Sequence, residues 1–207
     1  LSRAVGGQRR PADARLRHRQ KHPVRRKLKG FMNPKIKQYY DDVYYKEKVD
    51  YPISRRQTRP WSSYLDVLGA RKPGRLLDIA CGTGGLLWDA ETRGLETYGI
   101  DISEQALEAA RRSTKAKVQI ADVNTGIPFV DGYFDTITCM GSLEHFERQA
   151  FVLSEMLRAG TPDVRIMLLN KIPIMAECRL PTWASQGKAN IHQGAIALGV
   201  DMGTGET

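Results

Sequence analysis

Between Leu76 and Leu169 short apolar blocks alternate with stretches whose apolar residues recur at helical spacing. Leu76, Leu77 and Ile79 make a near-continuous apolar run, the pattern of a strand buried on both faces as in a parallel sheet. A helix is predicted from Leu86 to Arg93, stopped by Gly94, and a second strand from Thr97 to Asp101. Ser103 suits the N-cap of the next helix, with Glu104 in its first turn and Arg111 and Arg112 in its last, as the helix dipole favours. Ala106, Leu107 and Ala110 form its buried stripe. A third strand is predicted over Val118–Ala121, ending at Asp122, and a fourth over Phe134–Met140. The helix Gln149–Ala159 has the stripe Val152, Leu153, Met156 and Leu157; Gly160 and Pro162 end it, and a fifth strand runs from Val164 to Leu169.

This βαβ alternation predicts an α/β fold: a doubly wound, mainly parallel sheet with right-handed crossovers. Such sheets bind ligands at the carboxyl ends of their strands. Gly82, Asp101, Asp122 and Met140 all follow such ends, so the candidate residues converge on one edge of the sheet.

Ahead of the first strand two helices are expected. The spacing of Ile36, Tyr40, Val43 and Tyr44 fits one helix face within a tyrosine-rich stretch that also holds Tyr39, Tyr45 and Tyr51. Such a stripe ordinarily packs into the core; an aromatic lid over a pocket is the other reading. A second helix is predicted from Trp61 to Leu68, with Trp61, Leu65 and Leu68 on one side and Gly69 near its end, before a turn at Lys72-Pro73-Gly74.

The turn after the first strand carries the chemistry. Gly82, Gly84 and Gly85 remove side chains where the chain turns sharply and let a ligand touch backbone. Asp101, 17 residues past Gly84, stands near the distance at which nucleotide-binding α/β folds place a carboxylate on ribose hydroxyls. A nicotinamide or flavin site would require a third Gly or Ala, and Leu87 fills that slot.

Four ordered segments, 76–85 (LLDIACGTGG), 98–103 (YGIDIS), 120–129 (IADVNTGIPF) and 134–146 (FDTITCMGSLEHF), resemble those of class I S-adenosylmethionine-dependent methyltransferases of the small-molecule type. The resemblance spans roughly residues 33–170 and is specific for the superfamily rather than for a substrate. It implies a Rossmann-like sheet with strand order 3-2-1-4-5 and S-adenosylmethionine as cofactor. It implies that Asp78 with the backbone of Ala80, Cys81, Gly82 and Gly84 holds the amino-acid end of that cofactor, whose carboxylate suits a helix N-terminus. It further implies Asp101 on the ribose, Ile102 on the adenine face, Asp122 and the Val123 amide on the adenine edge, and Met140 at the cofactor side of strand four. His145 falls where relatives place residues between cofactor and acceptor, and an imidazole suits a general base. A structural or capping use of Glu144-His145 is the competing reading. The metal-using subgroup has an acid three residues before the Glu; Gly141 stands there, so no metal is expected.

Charge changes the picture at the ends. Of the 32 basic and 23 acidic residues, eleven basic and one acid (Asp13) lie in residues 1–31, so that segment carries +10 and the remainder −1. Residues 1–31 read as a disordered basic tail, upstream sequence ahead of Met32; a transit peptide is disfavoured because Ser2 is its only serine, and a nucleic-acid-binding arm ranks last. The near-neutral remainder makes a nucleic-acid partner less expected than a small-molecule acceptor. Cys81, Cys139 and Cys178 lack metal-ligand spacing, and no apolar stretch reaches membrane-spanning length; a reduced, cytoplasmic protein is expected. Residues 32–170 form the expected domain. Residues 171–207 are Gly-rich and weakly patterned, so the strand hairpin that closes the sheet in relatives is expected to be missing. The function implied is methyl transfer to a small molecule; alternatives are a cofactor-binding but catalytically defective relative, and a nucleic-acid methyltransferase using the basic tail.

Overall fold

The computed structural model describes Val24, residues 32–46, 61–70 and 74–169, and the backbone of 189–192 and 195–199. The expected basic tail lies outside these residues except for Val24, which makes an isolated antiparallel bridge to Phe129. Tyr51, Cys178 and the Lys72-Pro73 half of the expected turn also lie outside them.

The elements in chain order are α1 (Pro34–Tyr39), a π-helical turn (Tyr40–Tyr44), α2 (Trp61–Val67), β1 (Arg75–Ile79), α3 (Gly85–Thr92), β2 (Glu96–Asp101), α4 (Glu104–Ser113), β3 (Lys117–Ile120), β4 (Phe134–Met140), a 3₁₀ turn (Leu143–His145), α5 (Gln149–Ala159), β5 (Gly160–Leu169), β6 (Ala189–His192) and β7 (Ala195–Gly199). The sheet order is β3-β2-β1-β4-β5-β7-β6. The first five strands are parallel, with Leu77 opposite Tyr98 and Ile137. The expected order 3-2-1-4-5 is therefore the order found.

The expectation of a missing closing hairpin is corrected. β7 pairs antiparallel with β5 from Arg165–Gly199 to Leu169–Ala195, and β6 pairs antiparallel with β7. Ala189-Asn190-Ile191-His192 and Ala195-Ile196-Ala197-Leu198-Gly199 carry little β-branched or aromatic content, so propensity did not mark them. What places them is the unpaired edge of β5, whose backbone groups β7 satisfies.

Two apolar layers hold the sheet. Leu77 and Ile79 of β1 and Tyr98 and Ile100 of β2 pack against Val152, Leu153 and Met156 of α5. On the other face Leu76 joins Leu65 and Leu68 beside α2, Leu86, Leu87 and Ala90 of α3, and Leu107 of α4. The alternation of Leu76 and Leu77 between faces follows from the strand's period of two. Gly99 is required by close approach: a Cβ there would stand 2.7 Å from the Cys81 sulfur and 2.8 Å from a Leu87 methyl. At the start of β5 the register jumps from Phe134–Gly160 to Thr136–Arg165, so Thr161–Val164 bulge out. That bulge explains why sequence patterning places the regular strand only from Val164.

The leading segment departs from expectation. α1 passes into a π-helical turn, and Val43 and Tyr44 are 62% and 41% exposed rather than core. A wider turn brings Ile36, Tyr40 and Tyr45 toward the pocket, which the exposed Tyr44 also lines.

Candidate functional site

The turn after β1 is built around one strained residue. Ala80 has φ 55°, the sole non-glycine with positive φ among the described residues, followed by Gly82 at 54° and Gly84 at 86°. An alanine in this region costs about 1 kcal/mol or more and persists because its surroundings fix it. The Cys81 amide donates to the Ile100 carbonyl (3.0 Å) and the Gly82 amide to Asp101 Oδ2 (2.8 Å), so β2 clamps both sides of the turn. Gly84 then caps α3.

Asp101 ends β2 almost fully buried. Its Oδ1 accepts from the Ser103 amide (2.9 Å). Burial raises its pKa to about 6 despite the amides of Ser103, Gly82 and Ile102, which favour the charged form. Asp78, also buried, accepts from the Thr138 hydroxyl (2.7 Å). Burial raises Asp78 to about 7, the Thr138 hydrogen bond opposes the rise, and the Asp101 charge adds to it. These two carboxylates are held by hydroxyl and amide donors rather than by cations.

A pocket of about 100 Å³ opens at the carboxyl ends of β1, β2 and β4. Six of the sequence candidates line it: Ala80, Asp101, Ile102, Asp122, Val123 and His145. Gly82 lies beside it beneath Tyr45: a Cβ on Gly82 would stand 3.0 Å from the Tyr45 hydroxyl oxygen. Asp78 and Gly84 are buried and do not line it. Cys81 and Met140 belong to the apolar layer beside α2 and α3, and burial drives the Cys81 thiol pKa well up. Their contribution in this structure is packing.

Asp122 Oδ1 accepts from the Asn124 amide (2.9 Å) and side chain (3.0 Å), while Oδ2 accepts from the Asn33 amide (3.3 Å). His145 ends the 3₁₀ turn, its amide bonded to the Ser142 carbonyl (3.0 Å), and its ring is exposed at the pocket mouth.

Sequence reasoning missed the anchors of the leading segment. Asn33 caps α1 through its side chain, ahead of Pro34, and its own amide reaches Asp122. Asp41 Oδ1 accepts from the Ser103 hydroxyl (2.6 Å) and the Gln105 amide (3.5 Å), and Asp41 also pairs with Lys37. These donors outweigh burial and hold the Asp41 carboxyl below its ordinary value. The Asn-Pro start was legible as a helix cap; the 62-residue reach from Asp41 to Ser103 was not.

The site residues fit the amino-acid and adenosine ends of a nucleoside cofactor: a Cβ-free turn beside two buried carboxylates, then an acid and an apolar wall. Their pocket is smaller than the roughly 300–1,000 Å³ of small-molecule sites. Among the described residues no group of three or more His, Cys, Asp or Glu could hold a metal ion, and no helix is long and apolar enough to cross a membrane.

Residues 77–168 match the family model of a methyltransferase domain. The chain is 33% identical over 133 residues to a demethylmenaquinone methyltransferase of Beutenbergia cavernae, covering 64% of this chain and 52% of the relative. It is 34% identical over 136 residues to a probable tRNA methyltransferase 9B of Bos taurus, covering 64% and 29%. The chain thus spans about half the length, or less, of these curated relatives. Among solved structures it superposes on a SAM-dependent methyltransferase from Aquifex aeolicus with TM-score 0.58 at 17% identity, over 75% of this chain and 96% of that one, a likeness of fold. A second likeness is to the PH0226 protein of Pyrococcus horikoshii, with TM-score 0.53 and 26% identity over 67% and 66%.

Proposed function

The chain belongs, through residues 77–168, to the class I S-adenosylmethionine-dependent methyltransferases, and on that premise we propose that it transfers a methyl group to a small-molecule acceptor. The observation that carries the reading is the convergence of Ala80, Asp101, Asp122 and His145 on one pocket at the strand ends. S-adenosylmethionine supplies a methyl group already activated by its sulfonium. The chain's own residues bind, orient and exclude water, which is where most of the acceleration of such a transfer originates.

In this reading Asp78 and the backbone of the Ala80–Gly84 turn hold the amino-acid end. Asp101 accepts from the ribose hydroxyls with lone pairs left free by the Gly82 and Ser103 amides. Ile102 packs on the adenine, and Asp122 with the Val123 amide reads its edge. His145, exposed at the mouth, takes the acceptor's proton as general base. The exposed Tyr44 and the neighbouring Phe146 suit a flat or apolar acceptor, the class to which the quinone-named relatives also point. Buried free thiols at Cys81 and Cys139 fit a reducing, cytoplasmic setting.

Thermal denaturation with millimolar S-adenosylmethionine and with its demethylated product tests the binding step; a folded chain whose Tm neither ligand raises refutes it. Transfer of labelled methyl to extracted small molecules, lost in His145→Ala, tests the acceptor class. A second reading, methylation of RNA, is favoured by the +10 charge of residues 1–31 and the tRNA-named relative. Salt-sensitive RNA binding that disappears in a chain beginning at Met32 would select it over the first.

A further inference from the structure

The turn that follows β3 is tied to the start of α5 through one side-chain amide. Its backbone is fixed by the Asp122 carbonyl, which accepts from the Thr125 amide (2.9 Å) and the Thr125 hydroxyl (2.8 Å). Within the turn Asn124 closes on the Asp122 carboxylate twice: its backbone amide (2.9 Å) and its Nδ2 (3.0 Å) both donate to Asp122 Oδ1. The other end of the same side chain is also engaged, since Asn124 Oδ1 accepts from the Arg148 amide (3.0 Å). The Arg148 guanidinium returns to the Asn124 carbonyl (2.9 Å) and stacks on the Phe151 ring at 4.0 Å. These contacts need both ends of an amide, a donor toward the carboxylate and an acceptor toward the N–H; neither a carboxylate nor an apolar side chain supplies both. Asn124 lines the cavity beside Asp122 and Val123, with His145 at the mouth.

We propose that Asn124 is a positioning residue for purine recognition: it occupies Asp122 Oδ1 with two donors, anchors itself on α5, and so presents Oδ2 to the exocyclic amino group of the cofactor's adenine. The proposal rests on the cofactor reading above, which puts Asp122 on the adenine edge, and adds the residue that aims it. Among the described residues Oδ2 accepts only from the Asn33 amide, at 3.3 Å, so it is the oxygen open to exchange for a ligand donor. A carboxylate free to rotate would have to give up that freedom when the ligand binds. Asn124 removes the freedom beforehand, and its hold on the Arg148 amide keeps Asn124 itself from turning away. Arg148 lies three residues after His145, so the residue that aims the purine contact is held by the same connection that carries the acceptor-side histidine.

Isothermal titration of the full chain with S-adenosylhomocysteine and with its purine-riboside analogue, in which hydrogen replaces the 6-amino group, tests this directly. The two ligands share the ring nitrogens, the ribose and the amino-acid arm, so the ratio of their affinities reads the amino-group contact alone. Wild-type protein is expected to prefer the amino form roughly tenfold or more, as for a hydrogen bond to a charged acceptor. Asn124→Ala and Asn124→Asp are each expected to bring the ratio to within about threefold of one. Asn124→Asp keeps the side chain's size and its acceptor for the Arg148 amide and loses only the donor, so it decides the matter if the alanine variant fails to fold. A merely structural role would weaken both ligands equally and lower Tm with the ratio at its wild-type value; that result overturns the proposal. A wild-type ratio of one overturns it together with the assignment of Asp122 to the amino group. Wild-type protein that binds neither ligand overturns the cofactor reading on which both rest.

Discussion

Asp101 does two jobs with one carboxylate, and a substitution must separate them. Its oxygens hold the Gly82 and Ser103 amides, so truncation to alanine leaves two buried donors unpaired, at roughly 1–3 kcal/mol each. Asp101→Asn keeps an acceptor for one of them while losing the charge and the second acceptor that a ribose diol requires. We expect Asp101→Asn to weaken S-adenosylmethionine binding by about tenfold or more, with Tm shifted by only a few degrees; wild-type affinity in titration calorimetry would place the ribose elsewhere. Asp78 and Asp101, raised to about 7 and about 6, set the pH dependence. Their folded values lie above the ordinary carboxylate value, so ionisation disfavours the fold. No stability is lost below about pH 3.8, and then each carboxylate loses up to about 1.4 kcal/mol per pH unit until its own folded pKa is passed, about 6 for Asp101 and about 7 for Asp78. Cofactor binding works in the opposite sense, because the ammonium favours ionised Asp78. Affinity should rise with pH through 6–7 and then level off, with proton release visible as a buffer-dependent binding enthalpy. In Asp78→Asn affinity should fall and its pH dependence should shrink, while Tm at pH 8 holds or rises. A pH profile identical to wild type would remove Asp78 from the site.

At the scale of elements, the segment from Asn33 to Tyr45 is the part expected to move. It crosses the carboxyl ends of β2 and β3 through the Asn33–Asp122 and Asp41–Ser103 bonds and brings Tyr45 onto Gly82. Asn33 donates to the same carboxylate that is proposed to read the adenine edge, so the closed segment and the cofactor compete for Asp122. A cavity of about 100 Å³ is small for a nucleoside with an amino-acid arm, and withdrawal of the segment is expected to enlarge it. Opening should therefore limit association. Asp41→Ala removes an anchor remote from the ligand contacts and is expected to raise the association rate several-fold in stopped-flow fluorescence. An unchanged rate would mean that entry does not pass this segment. The β6–β7 pair illustrates the other kind of element, one fixed by its neighbour. Its residues have weak strand propensity, and the open edge of β5 supplies the pairing.

Across the whole molecule, local pattern determined what local physics can determine. Leu76, Leu77 and Ile79 read as a buried strand because apolar runs between turns have few other stable placements, and they are buried. Ser103 read as an N-cap and accepts from the Ala106 amide. The limits of α5, Gln149–Ala159, were legible because Gly160 and Pro162 end a helical stripe. The glycine turn and the strand-end acids at 101 and 122 placed the pocket, since a parallel doubly wound sheet leaves one edge for ligands. Other features required tertiary structure. The stripe Ile36, Tyr40, Val43, Tyr44 assumes 3.6 residues per turn, and the π-helical turn at Tyr40–Tyr44 exposes Val43 and turns Tyr45 inward. Cys81 stands in the ligand turn by sequence, but the missing side chain of Gly99 draws its sulfur into the apolar layer. The raised pKa values of Asp78 and Asp101 follow from burial, which depends on the whole sheet rather than on neighbouring residues. The sequence alone therefore determined the parallel sheet and the edge that carries the chemistry, because hydrophobic period and turn residues act over a few positions, while the strand order followed from the resemblance of its motifs. Only the tertiary structure decided how the pocket is closed, by Asn33 reaching Asp122 and Asp41 reaching Ser103, because hydrogen bonds spanning 89 and 62 residues exist only once the chain has folded back on itself.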